Sequence, residues 1–220
     1  MEIFAINGSP RKSGNTATLL KKFLEGAESV SETVHTTLIN LYDLKFTGCR
    51  SCFGCKLLNG DSYGKCIIKD DLYELLPKLF NADGIALGSS IYFGDMTGEM
   101  KCFIERFLFP NFTYEIGYRS IAPKRMPIQM IYTMNVKEEF FYSSNYDKHL
   151  GYTENFIGHT YTMPKRLCSF FTYQFNNYKK YRVEAFSEPE KAAYKKTQFP
   201  KDLEAAFNAG KEMALQITKG

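Results

Sequence analysis

The first thirty residues constrain the fold more tightly than any other stretch. Residues 2–7 (EIFAIN) make an apolar run of strand length, and 8–15 (GSPRKSGN) is a loop of small and turn-forming residues. From Thr16 onward Leu19, Leu20, Phe23, Leu24 and Ala27 recur at helical spacing, to about residue 30. A buried strand, a tight loop and an amphipathic helix in that order open a βαβ unit, whose strands pair in parallel. The pattern repeats along the chain. Strands are expected at 34–41, 84–89, 127–133 and 167–173, and helices at 70–80 behind Asp70-Asp71, 98–109, 150–159 and 200–218. The polar stretch 178–199 shows no strand pattern and is expected to wrap the surface. Short apolar strands alternating with helices predict an α/β fold: a doubly wound, five-stranded parallel sheet with helices on both faces, in a single domain over 1–220. Such sheets bind ligands beyond the carboxyl ends of their strands. The loops after the first, third and fourth strands are therefore the places to look.

Charge and composition narrow the ligand. With 28 Lys and Arg against 24 Asp and Glu the net charge is +4, scattered in ones and twes along the chain. Nucleic-acid binders concentrate their charge, so no nucleic-acid partner is expected, and a phosphate-bearing small molecule suits mild basicity better. No signal-like segment opens the chain and no apolar run approaches a membrane span, so the expected compartment is cytoplasmic, with no membrane partner. Thiols stay reduced there, and six cysteines point to metal, cluster or redox work rather than a disulfide framework. The 19 Phe and 15 Tyr, with no Trp, fall mostly after residue 107, so the second half must pack or present many flat rings.

The loop after the first strand reads Gly8-Ser9-Pro10-Arg11-Lys12-Ser13-Gly14-Asn15-Thr16. A helix opens directly behind it, so unpaired backbone N–H groups and the positive end of the helix dipole face the loop. Ser9, Ser13 and Thr16 add hydroxyls and Arg11 a fixed charge, which together suit a phosphate dianion. The nucleotide-binding pattern ending in Gly-Lys-Ser/Thr fails, because Asn15 stands where its lysine belongs. The dinucleotide glycine pattern fails at Pro10. A plain Gly-Ser-Pro turn capped by Thr16 is the alternative. Gly8-Ser9-Pro10-Arg11 followed by Gly14-Asn15-Thr16 resembles the phosphate loop of the NADPH-dependent FMN reductase family, which has the flavodoxin-like fold. The resemblance implies that Ser9, Arg11, Ser13, Asn15 and Thr16 hold the 5′-phosphate of FMN.

After the third strand comes Ser89-Ser90-Ile91-Tyr92-Phe93-Gly94, continuing to Gly98. The same family carries a very similar segment, usually with proline where Ser90 stands. Tyr92 and Phe93 suit the flat apolar wall that an isoalloxazine ring needs, and Gly94 and Gly98 let the main chain come close. Ser89, Ser90 and Ile91 complete that loop. Thr133, with Met134 and Asn135, ends the fourth strand and supplies the third expected loop. The alternative is that Tyr92 and Phe93 are core aromatics.

Cys49, Cys52 and Cys55 follow one another at three-residue spacing, with Cys66 beyond. Three thiols so spaced suit three corners of a [4Fe–4S] cube with a distant fourth, whereas structural zinc favours two separated pairs. The pattern resembles the iron-sulfur flavoprotein branch of the same family, although the ten residues between the last two cysteines exceed that branch's spacing. A thiol patch and reversible Cys52–Cys55 chemistry stand beside it. Cys102 and Cys168 are expected in the core, and His149 and His159 at the surface or in a pocket.

The leading functional expectation is an NAD(P)H-dependent FMN oxidoreductase passing hydride from NAD(P)H to FMN and on to a quinone-like or flavin acceptor. The flavin performs the chemistry, so no side chain is nominated as catalytic. The second is an iron-sulfur flavoprotein carrying electrons between a ferredoxin-like donor, the cluster and FMN. A receiver-type binding domain is set aside, since Asn7, Gly8 and Ser89 occupy the positions of its acidic trio. Relatives imply a homodimer or homotetramer.

Overall fold

A computed structural model describes residues 1–219. Five strands, β1 (Glu2–Asn7), β2 (His35–Asn40), β3 (Gly84–Tyr92), β5 (Ile128–Thr133) and β6 (Lys165–Ser169), pair in parallel in the order β2-β1-β3-β5-β6. A two-residue strand, β4 (Asp95–Met96), turns back antiparallel on the end of β3. The sheet reverses its direction of winding between β1 and β3, and the crevice there is where such a fold receives a ligand.

The central strands β1, β3 and β5 are buried on both faces, which is why they lack polar alternation, while the edge strands β2 and β6 are partly exposed. Ile3 and Ala5 point to α1 (Asn15–Glu28) and the last helix, α7 (Phe199–Lys219), in one core. Phe4 and Ile6 point the other way, into a larger core with Phe103 and Phe107 of α3 (Gly98–Leu108) and Leu150 and Ile157 of α5 (Tyr146–Thr160). Phe103, Phe107 and Tyr161 stack in series there, with ring centroids 5.5 and 4.8 Å apart. The aromatic excess is thus partly core.

Several boundaries differ from the sequence reading. The helix expected at 70–80 is only α2 (Leu75–Phe80). Pro77 has no N–H and clashes with a carbonyl four residues back, so it fits only the first turn of a helix. Asp70 and Asp71 cap nothing: Asp70 accepts from the Leu72 amide and pairs with Arg106, and Asp71 accepts from the Lys45 amide at 2.6 Å. The last strand stops at Ser169, which frees 170–174 as a loop. Residues 178–199 are not merely a wrap, since α6 (Glu188–Thr197) forms within them. Its signals are the Ser187 cap accepting from the Glu190 amide, Pro189 in the first turn, and Lys195 and Lys196 in the last. A short helix, α4 (Glu138–Ser143), was also unanticipated, and α5 begins four residues before the expected start.

Cys102 and Cys168 are half-buried rather than core residues, and burial pushes the Cys168 thiol up to about 12. His149 and His159 both lie on α5, and His149 Nε2 meets Asp95 Oδ2 at 3.1 Å. Among the described residues no helix is long and apolar enough to cross a membrane.

Candidate functional site: a cleft at the carboxyl ends of the strands

The carboxyl end of β1 is locked before the loop begins. Asn7 donates to Asn40 Oδ1 at the end of β2 and accepts from the Ser9 amide at 3.1 Å. The Gly8 amide donates to Gly88 O on β3, and Gly8 O accepts from the Thr97 hydroxyl at 2.6 Å. Thr97 in turn caps α3 by accepting from the Met100 amide. The first and third loops are therefore fixed to each other through Thr97.

Helix α1 starts behind Gly14, which has no side chain with which to cap it, and its first turn holds no acidic residue. Its amino end and dipole are left facing a cleft lined by Ser9, Arg11, Gly14, Asn15 and Thr16 from the first loop, Ser90, Ile91 and Tyr92 from β3, and Thr133, Met134 and Asn135 after β5. The Thr16 and Thr133 hydroxyls lie 2.8 Å apart across it. The three expected loops thus meet at one place.

The placement of individual residues is less uniform. Ser13 is exposed and lines a neighbouring cavity instead. Ser89 is buried, donating to Ser90 O and accepting from the Thr97 amide, so it braces the loop without lining the cleft. Tyr92 and Phe93 are not core aromatics: Tyr92 is 48% exposed and Phe93 fully so. Phe93 and Gly94 both adopt positive φ, which makes the sharp turn into β4, and neither lines the cleft. A Cβ on Gly94 would press on the Tyr146 ring at 3.1 Å. Thr172 and Gln174 also line the cleft, from the loop after β6. Extending the last strand through residue 173 concealed them; the polar Thr172 and Gln174 among four aromatics were the available signal.

Two buried side-chain oxygens in this cleft have no hydrogen-bond partner among the described residues: Ser90 Oγ and Asn135 Oδ1. Leaving such an atom unpaired costs about 1–3 kcal/mol, so the pair is suited to a ligand with polar groups. The cleft measures about 70 Å³. Pockets that enclose whole organic ligands run to about 300–1,000 Å³, so this one has the size for a phosphate and its linker, with a tricyclic ring outside it on the exposed aromatics. The residues present fit FMN on these grounds.

The cysteine loop lies apart from the cleft, against α3. Ser51 and Phe53 adopt positive φ, winding the chain between Cys49, Cys52 and Cys55. These three cysteines and Cys66 line one recess with Glu105 and Arg106. The Cys49 amide donates to Glu105 Oε2 at 3.0 Å, and Arg106 Nε donates to Cys66 Sγ at 3.1 Å. Burial pushes the Cys55 thiol up despite Lys56 beside it. The donor set is thus gathered but not converged: among the described residues no three His, Cys, Asp or Glu side chains form a group able to hold a metal ion.

Fold and cleft together define a flavodoxin-like α/β protein with a phosphate-suited site at the switch in winding. Residues 1–123 match the family described as NADPH-dependent FMN reductase, and the chain belongs to that family. It is 39% identical over 106 residues to an iron-sulfur flavoprotein of Methanocaldococcus jannaschii, covering 48% of this chain and 51% of that protein. An iron-sulfur flavoprotein of Archaeoglobus fulgidus is 38% identical over 125 residues, covering 56% and 57%. The match thus spans about half the length of these curated relatives. Among solved structures, the NAD(P)H:quinone oxidoreductase from Methanothermobacter marburgensis superposes with a TM-score of 0.69 at 13% identity, covering 97% of this chain and 98% of that one. An FMN-dependent NADH-azoreductase from Bacillus anthracis in complex with FMN gives 0.62 at 14%, covering 99% of each. These two are likenesses of fold.

Proposed function

We propose that this protein is an FMN-dependent oxidoreductase that takes hydride from NAD(P)H and passes the electrons to a small quinone-like or flavin acceptor. The observation that carries this reading is the pairing of an uncapped helix amino end with two unpartnered buried oxygens in one cleft. Ser9, Arg11, Asn15 and Thr16 would hold the phosphate, and Ser90 and Asn135 would meet polar groups beyond it. Tyr92 and Phe93 would offer the ring a flat face. FMN held by these residues would supply the hydride- and electron-transfer chemistry. The protein's part is binding, orientation and exclusion of water, and no acid–base side chain is assigned. Anaerobic addition of NADPH or NADH to FMN-loaded protein tests this. Flavin absorbance should bleach within the mixing time of a cuvette and return on adding a quinone; bands that ignore both nucleotides would overturn it.

The four cysteines around one recess favour a second reading, in which the chain also holds an iron–sulfur cluster and carries electrons from a ferredoxin-like donor. The names of the curated relatives support it. Cys49, Cys52, Cys55 and Cys66 would be the ligands. Iron and sulfide assays on anaerobically purified protein, repeated on Cys52→Ser, decide between the readings. A cytoplasmic homodimer or homotetramer is part of the proposal.

A further inference from the structure

Beside the flavin cleft lies a second and much larger cavity, of about 920 Å³. The two share Arg11, Gly14, Asn15 and Gln174 as lining residues. Their common wall is closed by two hydrogen bonds, from Arg11 Nη1 to Gln174 O at 2.6 Å and from Asn15 Nδ2 to Tyr173 O at 3.0 Å. Most of the remaining wall comes from residues 173–181, beyond the part of the chain that matches the family.

The lining of this cavity is chemically one-sided. Arg11, Lys180 and Lys195 contribute three cations, and no Asp or Glu lines it among the described residues. Neither Lys180 nor Lys195 has a carboxylate partner among them. Outside the lining, Glu188 accepts a hydrogen bond from the hydroxyl of Tyr173, a wall residue, at 2.7 Å. Like charges gathered without counter-ions repel one another, and an anionic ligand relieves that repulsion. The same cavity is lined with flat rings: Phe175 and Tyr181 stack 4.3 Å apart at 20°, and Lys195 Nζ sits 4.8 Å from the centre of the Tyr173 ring. Cations and aromatic faces in one cavity suit a ligand with both phosphate charge and a planar base.

We propose that this cavity receives the adenosine–phosphate part of the pyridine dinucleotide. The inference rests on the reading of the chain as an NAD(P)H oxidoreductase. Of the reactants in that chemistry, quinones carry no phosphate. The dinucleotide combines a purine with several phosphate charges, and the cavity's size suits a nucleotide. Its position next to the flavin cleft, across a wall of two hydrogen bonds, suits a ligand whose other end must reach the flavin. A second FMN is the rival occupant.

The test is a calorimetric titration of adenosine 2′,5′-bisphosphate into FMN-loaded protein, into apoprotein, and into the K180Q/K195Q double variant. Both lysines are exposed, so the variant should fold. One saturable site is expected in wild type, weakened at least tenfold in the variant, with flavin content unchanged and the KM for NADPH raised about tenfold. No binding to wild type, equal binding to the variant, or displacement of the bisphosphate by one further equivalent of FMN would each overturn the assignment. The apoprotein titration separates the two proposals. A chain that takes up no FMN but still binds the bisphosphate through these lysines would strike the flavin reading and leave the nucleotide cavity standing.

Discussion

Arg106 and Asp70 form a two-pronged ion pair at the root of the cysteine loop, with Nη1 2.7 Å from Oδ2 and Nη2 3.0 Å from Oδ1. Arg106 is 1% exposed and also donates to Thr47 O and Cys66 Sγ. One buried side chain thus ties α3 to both ends of the segment that carries the cysteines. Removing one partner of such a pair leaves a buried charge uncompensated and costs about 3–5 kcal/mol. R106M should lose stability of that order in urea denaturation, and R106M/D70N should recover part of it. The same pair predicts acid sensitivity. Burial alone would raise the Asp70 carboxyl, but its hydrogen bonds with Arg106 outweigh that and hold it below the ordinary value. Its contribution is therefore complete above the unfolded-state value of about 4 and is lost as pH falls through the lower folded value. Wild type should lose stability over that acid range more steeply than D70N.

Lys191 also adds stability as pH rises, at higher pH and for the opposite reason, since burial disfavours its charged form. Its side chain is fully buried, its ammonium donates to Asn135 O and Thr172 O, and burial lowers it to about 8. Between that value and the ordinary lysine value near 10.4 the unfolded chain holds the extra proton, so stability gains as pH rises through this window. Urea midpoints of wild type and K191M at pH 7 and pH 10 should show wild type improving relative to the variant. A constant difference would contradict the shift.

The two unpaired oxygens give a prediction that separates binding from folding. Asn135 Oδ1 makes no hydrogen bond among the described residues, so N135A should not lower the stability of the apoprotein and, by removing an unpaired buried oxygen, should raise it by up to about 1–3 kcal/mol. If Asn135 meets the flavin, the same change should weaken FMN by about tenfold, the equivalent of about 1.4 kcal/mol. Fluorescence titration and thermal melting on one preparation measure both.

Helices α1 and α7 cross at Gly26 and Gly210, where a Cβ would lie 1.9 Å from Phe207 O and 1.8 Å from Phe23 O. Main chain cannot yield as a side-chain tip can, so G210A should cost at least the 1–3 kcal/mol typical of overpacking. A lowered melting temperature with unchanged FMN affinity would place the damage in the fold and not in the cleft.

Much of this architecture is legible from local pattern. The β1 loop and helix follow from an apolar run, small residues and helical spacing, and the parallel pairing of the strands from their alternation with helices. Ser9, Arg11, Asn15, Thr16, Ser90, Ile91, Tyr92 and Thr133 do meet in one cleft. The misplaced elements are those where a side chain's partner lies far along the chain. Asp70 looks like a helix cap until Arg106 is known to face it, and Ser89 looks like a ligand contact until the Thr97 amide is seen to occupy its hydroxyl. Residues 170–173 are apolar enough for a strand, but their main chain turns aside to hydrogen-bond Met134 and Val136.

The most direct test of the central claim is a fluorescence titration of apoprotein with FMN and, in parallel, with riboflavin, which has the same ring and no phosphate. Saturable one-to-one binding of FMN, at least tenfold tighter than riboflavin and weakened by R11A, is the result expected of a phosphate cradle at the amino end of α1. Equal affinity for the two flavins, or binding of neither, would contradict it.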